Sequence, residues 1–360
     1  MTQTQTAAPP EPVDWELAER VARRFAGREP IAASYLGGSL DSDFSAVTTQ
    51  AEQLVGDFTG LHAPGTASAC VLDRAQWVHA NVGSMRRMLH PLTARVAERV
   101  ARSPVAPIGR RVAGTEMGVL LGFMAQRVLG QYDLLVPDDP DQSAASNANG
   151  AVYYVGANIL ALEKRYAFRP RDFRLWIAIH EVTHRAQFTA VPWLKGYFLS
   201  LVEQALAIVD PDPGRLVQAM MRAADELRKG RNPLDDGGLV ALVASSEQRG
   251  VLAQVQALMS LLEGHGNSVM NELGRAHIAG QERMARVLQA RRRSRGVAGI
   301  LYKLLGFESK LRQYEVGEAF VAEVVRVGGP RAIDAAWRGP ESLPTMDELA
   351  RPTEWLARVA

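Results

Sequence analysis

The chain has few of the features that mark secreted, membrane-spanning or nucleic-acid-binding proteins. Its 360 residues include one cysteine, Cys70, which excludes an intrachain disulfide and any zinc site built from several cysteines. No stretch approaches the roughly 18 consecutive apolar residues of a membrane-spanning helix, and the most apolar one, residues 118–124, is much shorter. A net charge of +2 provides no electrostatic argument for nucleic acid or a membrane surface as a partner.

The N-terminal residues also lack the signals of export. Residues 1–12 have neither the basic start nor the apolar stretch of a signal peptide, and their Thr, Gln, Ala and Pro content predicts a disordered tail. Hydrophobic residues make up 47% of the chain and charged residues 22%, proportions that are ordinary for a globular protein. We therefore predict a cytoplasmic protein with a single domain over residues 13–360.

Helical patterns dominate the chain, and two short apolar segments predict strands. Residues 14–26, 43–59 and 111–128 have the spacing of helices, and the segment 66–101 is predicted to hold two more. The strand candidates are residues 132–136 and 151–155. The predicted fold class is therefore α+β and predominantly helical, with a small β-sheet beside the helix that is described next.

Histidine is scarce, with 7 in the chain, yet residues 180–184 read His-Glu-Val-Thr-His. Imidazoles four residues apart on a helix point the same way and can bind one metal ion, and Glu181 between them is a candidate general base. Apolar residues around the motif recur at helical spacing, Asp172 is the predicted N-cap, and Val191-Pro192 should end the helix. The motif thus lies on the inward face of a helix of about five turns.

Two histidines do not complete a catalytic zinc site, which usually has three protein ligands and one open position. Glu263 is the favoured third ligand, because a carboxylate on an otherwise apolar helix face is costly unless it is paired or binds a metal. Asn267 and Asn271 follow it at four-residue steps and are suited to support a ligating carboxylate. His265, roughly 200° around a regular helix from Glu263, is an alternative ligand, as is an unidentified carboxylate.

Several segments of the chain, the motif among them, match the pattern of a known family. They are residues 130–133, 173–188, 191–194, 262–266 with 269–270, and 313–317 with Phe320. These segments resemble the zincin-like metallopeptidases, a family often associated with biosynthesis of a deazaflavin coenzyme, over about residues 15–350. The resemblance implies a mostly helical zincin-like domain with a small sheet and a zinc site on His180 and His184. The resemblance also supports Glu263 as a ligand. The chain departs from the family pattern at Asn271, where an aspartate is usual.

The residues together predict a zinc-dependent hydrolase, a metallopeptidase that acts on a peptide or protein substrate. In this interpretation the two motif histidines and Glu263 bind Zn²⁺, and a water activated by the metal is the nucleophile. Glu181 exchanges protons with that water and the leaving amine, and His265 or Tyr314 is the candidate to stabilise the oxyanion.

Two other interpretations stay open at the level of sequence. One is a catalytically silent zincin-fold binding protein with a structural metal. The other is a helical interaction protein without a metal, in which the two histidines are hydrogen-bonded core residues. Imidazole and carboxylate ligands also suit iron, cobalt and nickel, so the sequence alone specifies a divalent transition metal. It does not specify the substrate or the oligomeric state.

Overall fold

The computed structural model describes residues 11–27, 38–101, 106–134, 150–207, 246–293 and 308–360. These residues are predominantly helical with one small sheet, which confirms the predicted fold class. Most of the predicted N-terminal tail lies outside the described residues. The elements are α1 (Trp15–Ala26), α2 (Leu40–Thr59), β1 (Ser68–Leu72), α3 (Arg74–Ala101), α4 (Ala106–Ala125), β2 (Gly130–Asp133), β3 (Ala151–Val155), α5 (Gly156–Tyr166), α6 (Pro170–Ala190), α7 (Leu194–Ala207), α8 (Ser246–His277), α9 (Gln281–Arg293), α10 (Glu308–Gly328), 3₁₀ helices at Ala332–Trp337 and Pro340–Ser342, α11 (Met346–Ala350) and α12 (Pro352–Val359).

The sheet has three strands in the order β1-β3-β2, with β1 parallel and β2 antiparallel to β3. The prediction of β3 is confirmed at residues 151–155, and β2 begins two residues earlier than predicted. The prediction of two helices over residues 66–101 is wrong. Residues 68–72 form strand β1, because they pair along their whole length with β3. A single helix, α3, follows.

The chain divides into two compact units, and one of the three points at which it passes from one unit to the other falls within α2. The first unit lies within residues 1–46 and 68–167 and contains the sheet. Its hydrophobic core gathers around Trp15, Trp77 and Leu121.

In the first unit, α1 and α4 approach closely along a row of glycines. A Cβ on Gly118 would lie 2.5 Å from the carbonyl oxygen of Ala18, and a Cβ on Gly122 would lie 2.7 Å from that of Ala22. Such distances would force the two backbones apart. The glycines, spaced four residues apart on α4, therefore permit the close packing of these two helices.

The second unit lies within residues 47–67 and 168–360 and contains α6, α8 and α10. One hydrophobic cluster gathers around Phe320 and Trp355, and another around Leu194 and Leu262. The backbones of α8 and α10 meet at Gly264 and Gly317, where a Cβ on either residue would collide with the backbone of the other helix.

The sheet belongs to the first unit and α6 to the second. A single domain over residues 13–360, and a sheet edge beside α6, therefore stay predictions. Among the described residues, no helix combines the length and apolar character needed to cross a membrane.

Candidate metal centre

Helix α6 carries the His-Glu-Val-Thr-His motif, and proline residues set both of its ends. Pro170 occupies the first helical position, where its fixed φ suits a helix and its missing N–H is not needed. The helix ends as predicted at Val191-Pro192, with Val191 in an extended conformation. The prediction of Asp172 as the N-cap is wrong, because Arg169 precedes the helical Pro170 and Asp172 lies within the first turn.

His180 and His184 lie one turn apart on α6 and direct the same nitrogen atoms toward each other. Their Nε2 atoms are 3.2 Å apart, and their ring planes are nearly perpendicular at 85°. The two side chains therefore offer two imidazole nitrogens at one point in space, as the four-residue spacing predicts.

Glu263 on α8 completes a group of three possible ligands. Its Oε2 lies 3.7 Å from Nε2 of His180 and 3.6 Å from Nε2 of His184. Gly266, one turn along α8, makes this approach possible, because a Cβ there would already lie 3.2 Å from Cε1 of His184 and 3.4 Å from Cε1 of His180. The structure thus brings together the three residues that the sequence singled out as ligands.

Exposure distinguishes these three residues from their neighbours. Within residues 173–187 of α6, every residue is buried except His180 and His184. Within residues 260–267 of α8, every residue is buried except Glu263. The three side chains retain 17%, 14% and 20% of their accessible surface in that order, although Oε2 of Glu263, the atom that faces the histidines, is itself buried.

The electrostatics of the group favour a positive charge. Burial by itself would lower the pKa of the His184 imidazole, but the charge and hydrogen bonding of Glu263 outweigh it and raise that pKa to about 9, with smaller contributions from Glu181 and Gln187. The raised pKa shows that the surroundings of His184 stabilise a positive charge. The same nitrogen and carboxylate donors can bind a metal cation in place of the proton.

The distances fit a tetrahedral metal. For metal–ligand bonds of about 2.0–2.1 Å, the ligand atoms of a tetrahedron lie roughly 3.3–3.4 Å from one another. The observed separations of 3.2, 3.6 and 3.7 Å surround that value. Two imidazole nitrogens and one carboxylate oxygen are also a donor set of catalytic zinc sites.

Glu181, the predicted general base, is 8% exposed. It follows His180 directly in α6, and its charge is near enough to contribute to the raised pKa of His184.

His265 lies outside the group of three, on the far side of Gln187. Its Nδ1 is 2.9 Å from Nε2 of Gln187, and its ring contacts Trp337 edge-on with centroids 5.2 Å apart. Burial, and then the charge of His184, lower the pKa of His265 to about 4, so it is neutral at physiological pH. The helix is regular at Gly264 and Gly266, and the two side chains of the Glu-Gly-His segment diverge as expected for positions two apart.

Tyr314 belongs to α10, but its side chain lies outside what the structure describes. Its role in stabilising an oxyanion stays a prediction.

The two asparagines that follow Glu263 on α8 have different surroundings. Asn271 donates to Oε1 of Glu318 and accepts from Nε2 of Gln281, both at 3.0 Å. Asn267 is 2% exposed, and within the described residues neither end of its amide has a hydrogen-bond partner. Within the described residues neither amide therefore forms the predicted hydrogen-bonded support of Glu263, since Asn267 has no partner and the bonds of Asn271 lead away to α9 and α10.

The sequence predicts Arg185 and Gln187 to be surface groups or supports of the ligands, and both are fully buried beside the motif. Arg185 forms an ion pair with Glu52 at 2.5 Å and donates to the carbonyl oxygen of Pro64 at 2.7 Å. Gln187 contacts His184, His265 and the backbone of α8. Gln187 lies seven residues after the first motif histidine and therefore on the same helix face, a signal from which its place beside the site could have been predicted.

The family model of the zincin-like metallopeptidases matches residues 13–356. The chain belongs to the zincin-like metallopeptidase family. A protein from Chloroflexus aurantiacus, whose crystal structure is described as that of "a putative hydrolase with a novel fold", is 31% identical to this chain with a TM-score of 0.70. The similarity covers 96% of this chain and 98% of that one. No curated protein matches the chain. The predicted family is confirmed. The family and the similar structure support a hydrolase, and the family implies a divalent metal.

Proposed function

We propose that the protein is a zinc-dependent hydrolase that cleaves peptide bonds. The observation that carries the proposal is the exposure of His180, His184 and Glu263 on otherwise buried helical segments. A structural zinc site is closed by four protein ligands, whereas a catalytic one has three and keeps a position for water. Among the described residues the group has three donor side chains, and each keeps part of its surface accessible, which supports a catalytic site over a structural one.

When bound by the two histidines and Glu263, zinc would lower the pKa of a coordinated water and polarise a substrate carbonyl. The chain itself supplies the proton transfers. Glu181 lies beside His180 on α6, and its carboxylate would take the proton of the attacking water and return it to the leaving amine. The conformation of α6, buried around most of its surface, would keep this carboxylate and the histidines in a fixed relation.

His265 and Tyr314 remain the candidates for stabilising the oxyanion. The Nδ1 of His265 accepts a hydrogen bond from Gln187, so a neutral imidazole carries its proton on Nε2 and can donate from there. A peptide or protein substrate and a cytoplasmic location are parts of this proposal.

The replacement of Glu181 by Gln tests the mechanism. The amide keeps the shape of the side chain but cannot take a proton, so we expect kcat for a peptide substrate from a cleavage screen to fall by about 10²–10⁴-fold. Zinc content, measured on the same preparations by atomic emission, should equal that of the wild type, because Glu181 is not a ligand in this account.

Glu163→Gln is the matched control, because Glu163 is also a buried glutamate, on α5 of the first unit. We expect it to retain wild-type turnover. Undiminished turnover by Glu181→Gln would remove Glu181 from the mechanism. A wild-type protein that binds zinc but cleaves no member of a broad peptide library would favour the alternative of a silent binding protein.

A further inference from the structure

Gln187 connects the two helices that carry the proposed ligands. It is fully buried, three residues after His184 on α6. Its Oε1 lies 2.9 Å from Nδ1 of His184, and its Nε2 lies 3.1 Å from the carbonyl oxygen of Leu262 and 2.9 Å from Nδ1 of His265. All polar atoms of this side chain are thus engaged, and each partner is a residue of the candidate site or its neighbour.

The direction of each hydrogen bond follows from one partner. A backbone carbonyl can only accept, so the atom of Gln187 that faces Leu262 must be the amide nitrogen. The amide oxygen then faces His184, and because that oxygen can only accept, Nδ1 of His184 must carry a proton. The second amide proton of Gln187 is donated to Nδ1 of His265.

These directions determine which nitrogen of His184 can bind a metal. With the proton held on Nδ1, the lone pair of a neutral His184 lies on Nε2, which is the atom that faces His180 and Glu263. The bond to Leu262 has a second effect, because Leu262 immediately precedes Glu263 on α8. This hydrogen bond fixes the position of α8 relative to α6 at which Glu263 reaches the two histidines.

We propose that Gln187 is a positioning residue of the metal centre, which selects Nε2 of His184 as the coordinating atom and holds Glu263 in register with it. The proposal rests on the metal centre of the proposed function. It assigns Gln187 a role through its neighbours and no contact with substrate or metal. Partners of this kind orient ligating histidines, and their loss typically lowers metal affinity by about 10–100-fold.

The test compares Gln187→Met with Gln281→Met. Methionine has the length and unbranched shape of glutamine but cannot replace its hydrogen bonds. Gln281 is also buried and also donates through its Nε2, but to Asn271. Zinc affinity is measured by competition with a chromophoric chelator. We expect Gln187→Met to lose about 10–100-fold in affinity and Gln281→Met to match the wild type.

A second readout is the proton on Nδ1 of His184, followed by NMR of the cobalt-substituted protein. Imidazole N–H protons near cobalt have strongly shifted resonances, and one that is buried and hydrogen-bonded exchanges slowly with D₂O. We expect the wild type to show such a protected resonance, Gln187→Met to lose it and Gln187→Glu to retain it. Glutamate rescues this bond because its carboxylate still accepts from His184, although it cannot donate to Leu262.

Equal zinc affinity in Gln187→Met and Gln281→Met would overturn the proposal while leaving the proposed function intact. If Gln187→Met does not fold, the test rests on the NMR spectra of the wild type and Gln187→Glu. Absence of the protected resonance from both proteins would overturn the proposal. A wild-type protein that binds neither zinc nor cobalt would overturn the proposed function and this proposal together.

Discussion

At the scale of single residues, His184 is subject to two opposing influences. Burial disfavours its charged form, and the carboxylate of Glu263 favours it more strongly, so that its pKa in the metal-free protein is raised to about 9. A raised pKa means that protonation of His184 stabilises the metal-free fold. That contribution is fully present below the ordinary value of 6.5 and is lost as the pH rises through about 9.

The same pKa predicts proton release when the metal binds. At pH 7.5 the metal-free His184 is protonated and must lose that proton to coordinate, so zinc binding should release about one proton from this residue. Zinc affinity should accordingly rise with pH up to about 9 and then level off. Calorimetric titration in buffers of different ionisation enthalpy measures the number of protons released. Release near zero at pH 7.5 would contradict the assignment of His184 as a ligand.

Asn267 predicts a stability effect of the opposite sign from most core substitutions. Its amide is buried without a partner among the described residues, a state that costs about 1–3 kcal/mol. Asn267→Leu should therefore raise the free energy of unfolding of the metal-free protein by roughly 1–2 kcal/mol, as measured by urea denaturation.

Asn271→Leu provides the contrast on the same helix. The amide of Asn271 is bonded to Glu318 and Gln281, so its removal should lower the free energy of unfolding. If both substitutions destabilise the protein equally, the amide of Asn267 has a partner in solution and the interpretation is wrong.

At the scale of helices, the close crossing of α8 and α10 determines where Glu263 lies. A Cβ on Gly264 would collide with the backbone of Gly317, so Gly264→Ala must push the two helices apart. We expect this substitution to lower the free energy of unfolding by roughly 3 kcal/mol. Gly250→Ala on the same helix meets nothing within 4 Å and should raise it by about 0.5–1 kcal/mol. Urea denaturation of both variants measures the difference, and equal effects would contradict the close crossing.

Local signals predicted the elements that depend on local chemistry. The end of α6 follows from Val191-Pro192, as the sequence indicates, and in the structure Asp14 caps α1 by accepting from the backbone N–H of Leu17. The prediction of Asp172 as the N-cap of α6 is wrong, because Pro170 can occupy the first helical position and the helix starts three residues earlier than that cap implies. Each of these helix ends depends on residues that are close in sequence. At the start of α6 two such signals competed, an aspartate as N-cap and a proline in the first turn, and the proline signal is the correct one.

Contacts between distant segments account for what the sequence did not reveal. Strand β1 contains residues that could equally be helical, and its pairing with β3, about 80 residues later, decides its conformation. Glu263 was found from its apolar surroundings, since a lone carboxylate on such a face needs a partner. The bonds of Gln187 to Leu262 and His265 could not be predicted, because they require knowing how α6 and α8 align.

At the scale of the whole molecule, the chain combines a unit that contains the sheet with a unit that contains every described residue of the candidate metal centre. The second unit brings α6 and α8 together through segments separated by about 80 residues in sequence. The similarity to the zincin-like metallopeptidases extends over both units, so the family's common structure includes more than the motif helix.

The most direct test of the account is the zinc stoichiometry and affinity of the wild type beside those of Glu263→Gln and Glu272→Gln. Both substitutions remove one carboxylate from α8, but Glu272 lies on its exposed face and pairs with Arg275. We predict one zinc ion per chain in the wild type and in Glu272→Gln, and a loss of affinity beyond about 100-fold in Glu263→Gln. The account would be contradicted if Glu263→Gln bound zinc as tightly as Glu272→Gln, or if the wild type bound no zinc.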